Sequence, residues 1–253
     1  MLKKTVLVSL IAFTMWNCKE KESKKDTEIQ NTTKAPLKED TTKRNDTTES
    51  VEQSSPLSSF NGVYFCPETK ELYYLEGNEN AIKKVFYTKA KSKFSEQKIT
   101  EQKKIPMESS PLDPDYLLTT TREHKFGVYP SGQRYFVRKD KETELVFFKL
   151  TEKLSFFDPE QNPNIILAEA LSQNYTEENA KTDKSISINQ LEMRYSLGFK
   201  HKGEDVVAIV KEDFSIESTV PEGKILIKDG MGAINLEIKL NGKPSYTLVQ
   251  KIK

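Results

Sequence analysis

Apolar and polar residues alternate most regularly in the last third of the chain. Leu191, Met193, Tyr195, Leu197 and Phe199 are separated by Glu192, Arg194, Ser196 and Gly198, and Ile234, Leu236, Ile238 and Leu240 by Asn235, Glu237 and Lys239. A period of two with one apolar face marks a strand that has a core on one side and water on the other. The alternation predicts that Tyr195 and Leu197 point inward and that Arg194 and Ser196 face solvent. Asn241-Gly242, ahead of Tyr246, Leu248 and Ile252, signals a two-residue hairpin, and Lys202-Gly203 and Asp229-Gly230 punctuate the neighbouring runs. Upstream, short β-branched and aromatic runs at 61–66, 71–75, 84–88, 126–129, 134–137 and 144–150 are bounded by Gly, Pro, Asn or Asp and predict further strands. Gly-Val-Tyr occurs at Gly62 and again at Gly127, which hints at a duplicated three-stranded meander.

One segment reads differently. Asn162 can cap a helix, Pro163 suits its first turn, and Ile166, Leu167, Ala170 and Leu171 follow at helical spacing, so a short helix is expected near 163–173. Residues 91–122 hold Lys-rich stretches with Pro106, Pro111 and Pro114 and predict a long irregular excursion. The expected fold is mainly β, an antiparallel meander forming a barrel or a sandwich with one short helix, in a single all-β domain over 59–253.

The N-terminus carries a different signal. Lys3 and Lys4 precede an apolar run over residues 5–16, twelve residues long, which ends at Asn17-Cys18. A membrane-spanning helix takes about 20 residues, so the run suits a secretory signal instead. With Cys18 directly after it, residues 1–18 resemble a bacterial lipoprotein signal peptide with a relaxed lipobox, Met15 standing where Leu is usual and Asn17 where Gly or Ala is commonest. The resemblance implies removal of residues 1–17, lipid attachment at Cys18, and anchoring to a bilayer at the cell envelope, expected as the outer membrane with the domain in the periplasm or at the surface.

Residues 19–58 are rich in Lys, Glu, Asp, Thr and Ser, with Ile29, Ala35, Leu37, Val51 and Leu57 the only aliphatic side chains. That composition buries too little apolar surface to offset ordering entropy and reads as a disordered tether. Asp40-Thr41-Thr42 and Asp46-Thr47-Thr48 resemble the O-glycosylation motif of some exported proteins and make Thr41 and Thr47 candidate sites. The charged run 19–22 resembles surface-export signals of some Gram-negative bacteria.

Charge narrows the partners. Residues 19–58 carry eight Lys/Arg and nine Asp/Glu and the signal two lysines, so with 39 basic and 38 acidic residues in all, 59–253 is neutral. Nucleic-acid binders draw on a clustered basic face, so no nucleic-acid partner is expected. The chain has two cysteines; with Cys18 acylated, Cys66 has no partner and is expected as a half-buried small hydrophobe on a strand.

Catalytic signals are sparse. There is no nucleophile elbow, zinc-protease helix or Gly-rich phosphate loop, and the carboxylates of Asp113-Pro-Asp115 and of 205–213 lack calcium-loop spacing. His124 and His201 sit beside lysines in turn-like sequence and are expected to be exposed. The tyrosines Tyr64, Tyr73, Tyr74, Tyr129 and Tyr135 are expected as core or half-buried sheet surface. No catalytic residue, metal or cofactor is expected. Two functions remain: a non-catalytic module binding a protein or envelope component, and a barrel carrying a small apolar ligand.

Overall fold

The computed structural model describes residues 57–105, 114–128, 134–140, 143–180, 184–230 and 233–252. The signal, Cys18, Thr41 and Thr47 lie outside those residues. The described chain belongs to one compact unit and is mainly β, with two antiparallel, nearly closed, barrel-like sheets and one helix.

The first sheet holds β1 (Gly62–Cys66), β2 (Glu71–Gly77), β3 (Ile82–Lys89), β4 (Ser95–Gln97), β5 (Ile99–Lys104), β6 (Tyr116–Thr120), β7 (Lys125–Val128), β8 (Tyr135–Asp140) and β9 (Thr143–Thr151). Their lateral order is β4-β3-β2-β1-β9-β8-β7-β6-β5. Only Lys98 separates β4 from β5, yet they stand at opposite ends of that order. The sheet therefore curls until its ends meet in one bent strand, which leaves eight staves. An eight-stave barrel has an interior just wide enough for side chains to fill.

The second sheet repeats the plan. It holds β10 (Asn174–Glu177), β11 (Ser185–Ser187), β12 (Asn189–Gln190), β13 (Ser196–His201), β14 (Glu204–Val210), β15 (Ile216–Val220), β16 (Glu222–Gly230), β17 (Ala233–Leu240) and β18 (Tyr246–Gln250). The order β11-β10-β18-β17-β16-β15-β14-β13-β12 again places the two halves of a bent strand, joined at Ile188, at the two ends. Barrel closure leaves few unpaired edge groups, which is the usual hazard of an antiparallel meander.

The closing seam of the first barrel is β1 against β9, where the register shifts between Val63 and Tyr64. Gly62 opens this strand at φ +134°, and a Cβ there would sit 2.0 Å from the Thr151 carbonyl oxygen. Only glycine permits so close a backbone approach.

All five residues of β1 are buried. Tyr64 and Cys66 line the first barrel's interior, while Val63 and Phe65 belong to the core shared with the second barrel. Between the barrels runs α1 (Pro163–Leu171), with Asn162 as N-cap and Pro163 in the first turn, two residues shorter than expected at its C-terminus. It lies against β9, β12, β13 and β14 and buries Ile166, Leu167, Ala168, Ala170 and Leu171 completely. A helix enclosed on most of its circumference needs only a narrow polar face, here Glu169 with the half-buried Ile165 one turn before it. Its ends are held by one long-range and one local bond: Asn164 Nδ2 donates to the Val210 carbonyl (3.0 Å) and Tyr175 Oη to that of Leu171 (3.0 Å). Gln250 Nε2 donates to the Leu150 carbonyl (2.8 Å), tying the last strand of the second barrel to the last strand of the first.

Three expectations need correction. The regular alternation over 191–199 is a strand only from Ser196; Tyr195 is exposed and Ser196 is fully buried. The reason is local: the Ser196 hydroxyl donates to the Met193 carbonyl (2.6 Å) and the Leu191 amide to the Ser196 carbonyl (3.0 Å), which folds 191–195 into a turn. The excursion expected over 91–122 contains β4, β5 and β6, with Pro106 and Pro111 outside the described residues. Lys-rich strand β5 stays polar because its side chains are half-buried or exposed. Asn241-Gly242 opens a longer connection, from Leu240 to Tyr246, because Pro244 has no amide to give to a ladder. Lys202-Gly203, by contrast, is a two-residue turn with both φ positive, closing His201 onto Glu204.

Candidate functional site

Two places in the fold gather polar chemistry beside apolar surface. The first is the interior of the first barrel. Strand alternation sends Tyr64, Tyr73, Tyr87, Phe126, Phe136 and Phe147 inward. Tyr73 sits at their centre, its ring 5.0–5.5 Å from Phe126, Phe136 and Phe147 and 4.9 Å from Tyr87. Tilted and edge-on contacts at such distances are the favoured aromatic geometry, and here they fill the lumen.

Above those rings lies a buried ionic group. Arg138 Nη1 is 2.7 Å from Glu71 Oε2 and donates to Tyr73 Oη (3.0 Å), and Tyr87 Oη donates to Glu71 Oε1 (3.0 Å). Tyr73 Oη also lies 2.7 Å from His124 Nδ1. Burial, opposed only in part by Arg138, raises the Tyr73 hydroxyl far above its ordinary value; burial and Glu71 push Tyr87 up to about 12. Both phenols stay protonated donors at any physiological pH, so the group is a hydrogen-bonded support.

The second place is a half-open cleft of about 810 Å3 between the barrels. Its floor is apolar: Val146 and Phe148 from the outer face of β9, Phe214 from the turn ahead of β15 and Ile216 at its start, and Leu226 and Ile227 from β16. Phe65 and Phe214 meet edge-on at 5.9 Å and fix the two walls against each other. Charges of both signs stand on the rim, among them Lys70, Lys224, Lys228, Glu144 and Glu217. Several are already paired, Glu217 with Lys211 (2.5 Å) and Glu144 with Lys139 (2.9 Å). Asp213 is held below the usual carboxylate range by hydrogen bonds from the Ser215 hydroxyl and amide. The cleft can take an extended chain with apolar side chains downward and its polar groups at the rim.

Both histidines were expected to be exposed and neither is. His124 is bound to Tyr73, and His201 stacks on Tyr246 at 3.8 Å with Nε2 3.1 Å from Glu177. Cys66 was expected half-buried and is buried inside the first barrel. Tyr64 and Tyr73 are core, as expected, and Tyr74 stacks on Phe157 at 3.9 Å outside the first barrel. Tyr129 and Asp113 lie outside the described residues. Sequence reasoning missed Arg138 and Glu71, although both occupy inward positions of alternating strands. Among the described residues no three or more His, Cys, Asp or Glu side chains converge as metal ligands, and no helix is long and apolar enough to cross a membrane.

No family model matches the chain, and no curated protein and no solved structure matches it either.

Proposed function

We propose that the protein is a lipoprotein of the cell envelope, acylated on Cys18 and tethered through the polar residues between Cys18 and the buried Leu57, whose double barrel binds a protein or envelope component without catalysing a reaction. The inter-barrel cleft carries this reading, since it offers an apolar floor and a charged rim on a rigid scaffold. The alternative, a barrel carrying a small apolar ligand, has less support, because the first barrel's lumen is occupied by interlocked rings and paired polar groups. The lipid anchor rests on the sequence of residues 1–18 alone.

The test is photo-crosslinking in the source cell, with a photoreactive residue in place of Phe148 or Leu226 in the cleft and of Phe156, an exposed position outside it. The same adduct at both cleft positions and none at 156 is expected. A lipid or other small-molecule adduct would favour the carrier, and equal labelling at all three positions would remove the cleft as the binding surface.

A further inference from the structure

The end of the first barrel nearest the 3-10 turn Leu57–Phe60 carries charge that nothing above uses. Phe136 and Phe147 pair across β8 and β9 and point inward; two residues further along, Lys149 on β9 is buried and Arg134, just ahead of β8, is half-buried. The Lys149 amide donates to the Arg134 carbonyl at 2.7 Å, and Lys149 is also the register partner of Tyr64 on β1. Two cationic residues are thus backbone neighbours at this end of the barrel. The Lys149 side chain is 4% exposed, and its Nζ donates to the Ser59 carbonyl at 2.5 Å and stands 5.8 Å from the Tyr64 ring centre.

Little opposes this charge. The carboxylate facing it is that of Glu152, 3.8 Å from Nζ and 72% exposed, and Tyr64 Oη is already donating to the Phe60 carbonyl at 3.0 Å. Arg134 Nε and the Ser59 hydroxyl are buried and have no hydrogen-bond partner. An unpaired buried donor normally costs free energy, and a pair of like charges in a low-dielectric lumen concentrates the local field. Both costs are relieved by one kind of occupant: an anion that accepts several hydrogen bonds from different directions. Water would satisfy the donors and leave the charge; an apolar molecule would do neither.

We propose that this end of the first barrel is a binding site for a tetrahedral oxyanion of the phosphate or sulfate type, with Lys149 and Arg134 supplying charge and Ser59 a hydroxyl. A guanidinium from just ahead of β8, an ammonium from β9 and a hydroxyl from the turn present donors from three places in the chain, which suits an acceptor with oxygens on several sides. Burial first, and Arg134 in addition, lower the Lys149 ammonium to about 8, so the site loses charge above that pH. Glu152 acts as an internal competitor at the rim.

Isothermal titration of the full-length protein in detergent, with inorganic phosphate or sulfate at fixed ionic strength, tests this. One saturable site is expected, weakened about tenfold or more by Lys149→Met or Arg134→Gln and tightened several-fold by Glu152→Gln. Sulfate stays a dianion throughout, so its affinity should fall between about pH 7 and about pH 9.5 as Lys149 loses its proton. Because Glu152 is exposed, its variant tests the site without endangering the fold. Glycerol phosphate compared with a monodisperse short-chain phosphatidic acid separates the sources: equal affinity means a free phosphate, tighter lipid binding a headgroup. Absence of saturable binding, or affinities unchanged in both Arg134→Gln and Glu152→Gln, would overturn the proposal.

Discussion

Arg138 and Glu71 meet inside the first barrel at 2.7 Å, with side chains 4% and 14% exposed. They come from β8 and β2, far apart in sequence, and each also holds a tyrosine hydroxyl. Removing one partner of a buried pair strands the other, at a cost of about 3–5 kcal/mol. Arg138→Met should therefore destabilise the fold by that amount in urea unfolding. The double variant Glu71→Leu with Arg138→Met should recover most of the loss, because no charge is left unpaired. A double variant as unstable as the single one would mean that the pair itself, with its two tyrosine bonds, stabilises the barrel.

The turn at 191–195 reverses what simple alternation implies for its neighbours. Leu197→Ala should cost about 2–5 kcal/mol through lost burial and the cavity left behind. Ser196→Ala should cost about 1 kcal/mol, as a buried serine loses its bond to the Met193 carbonyl. Tyr195→Ala, at an exposed position, should stay within about 0.5 kcal/mol. Chemical denaturation of the three variants gives the order directly; a neutral Ser196→Ala together with a costly Tyr195→Ala would restore the uninterrupted strand.

Lys149 makes stability depend on pH. Its folded value of about 8 lies below the ordinary lysine value of 10.5, so between them the unfolded chain holds more protons than the folded one. Stability from this group accordingly rises as pH increases from about 8 toward about 10, where tyrosine ionisation begins to interfere. The stability of the wild type relative to Lys149→Met, measured in chloride buffer, should increase over that window. A flat difference would show that the ammonium is solvated in the folded protein.

Acylation of Cys18 is open to a direct assay. Cys18→Ser should abolish metabolic labelling by a fatty-acid analogue and release the protein from membranes. Wild-type protein that stays membrane-bound without any label would refute the lipid anchor.

What the sequence determined by itself is local. Period-two runs such as 234–240, and turn residues such as Lys202-Gly203 with both φ positive, declare strands and hairpins because neighbouring residues alone set side-chain direction and backbone sign. Asn162-Pro163 likewise marks the start of α1. Tertiary structure decided the rest. Whether the meander closes depends on β1 meeting β9 and β10 meeting β18, contacts between strands distant in the chain. That the strands divide between two barrels is invisible to a pattern repeated in both. Burial of β1 on both faces, and of α1 over most of its circumference, follows from what packs against them and leaves only a mainly apolar run as its trace. The polar interior was hidden for the same reason: Arg138, Glu71, Arg134 and Lys149 read as ordinary surface charges until the register turns them inward, where partners from other strands, and not their neighbours in sequence, fix their chemistry.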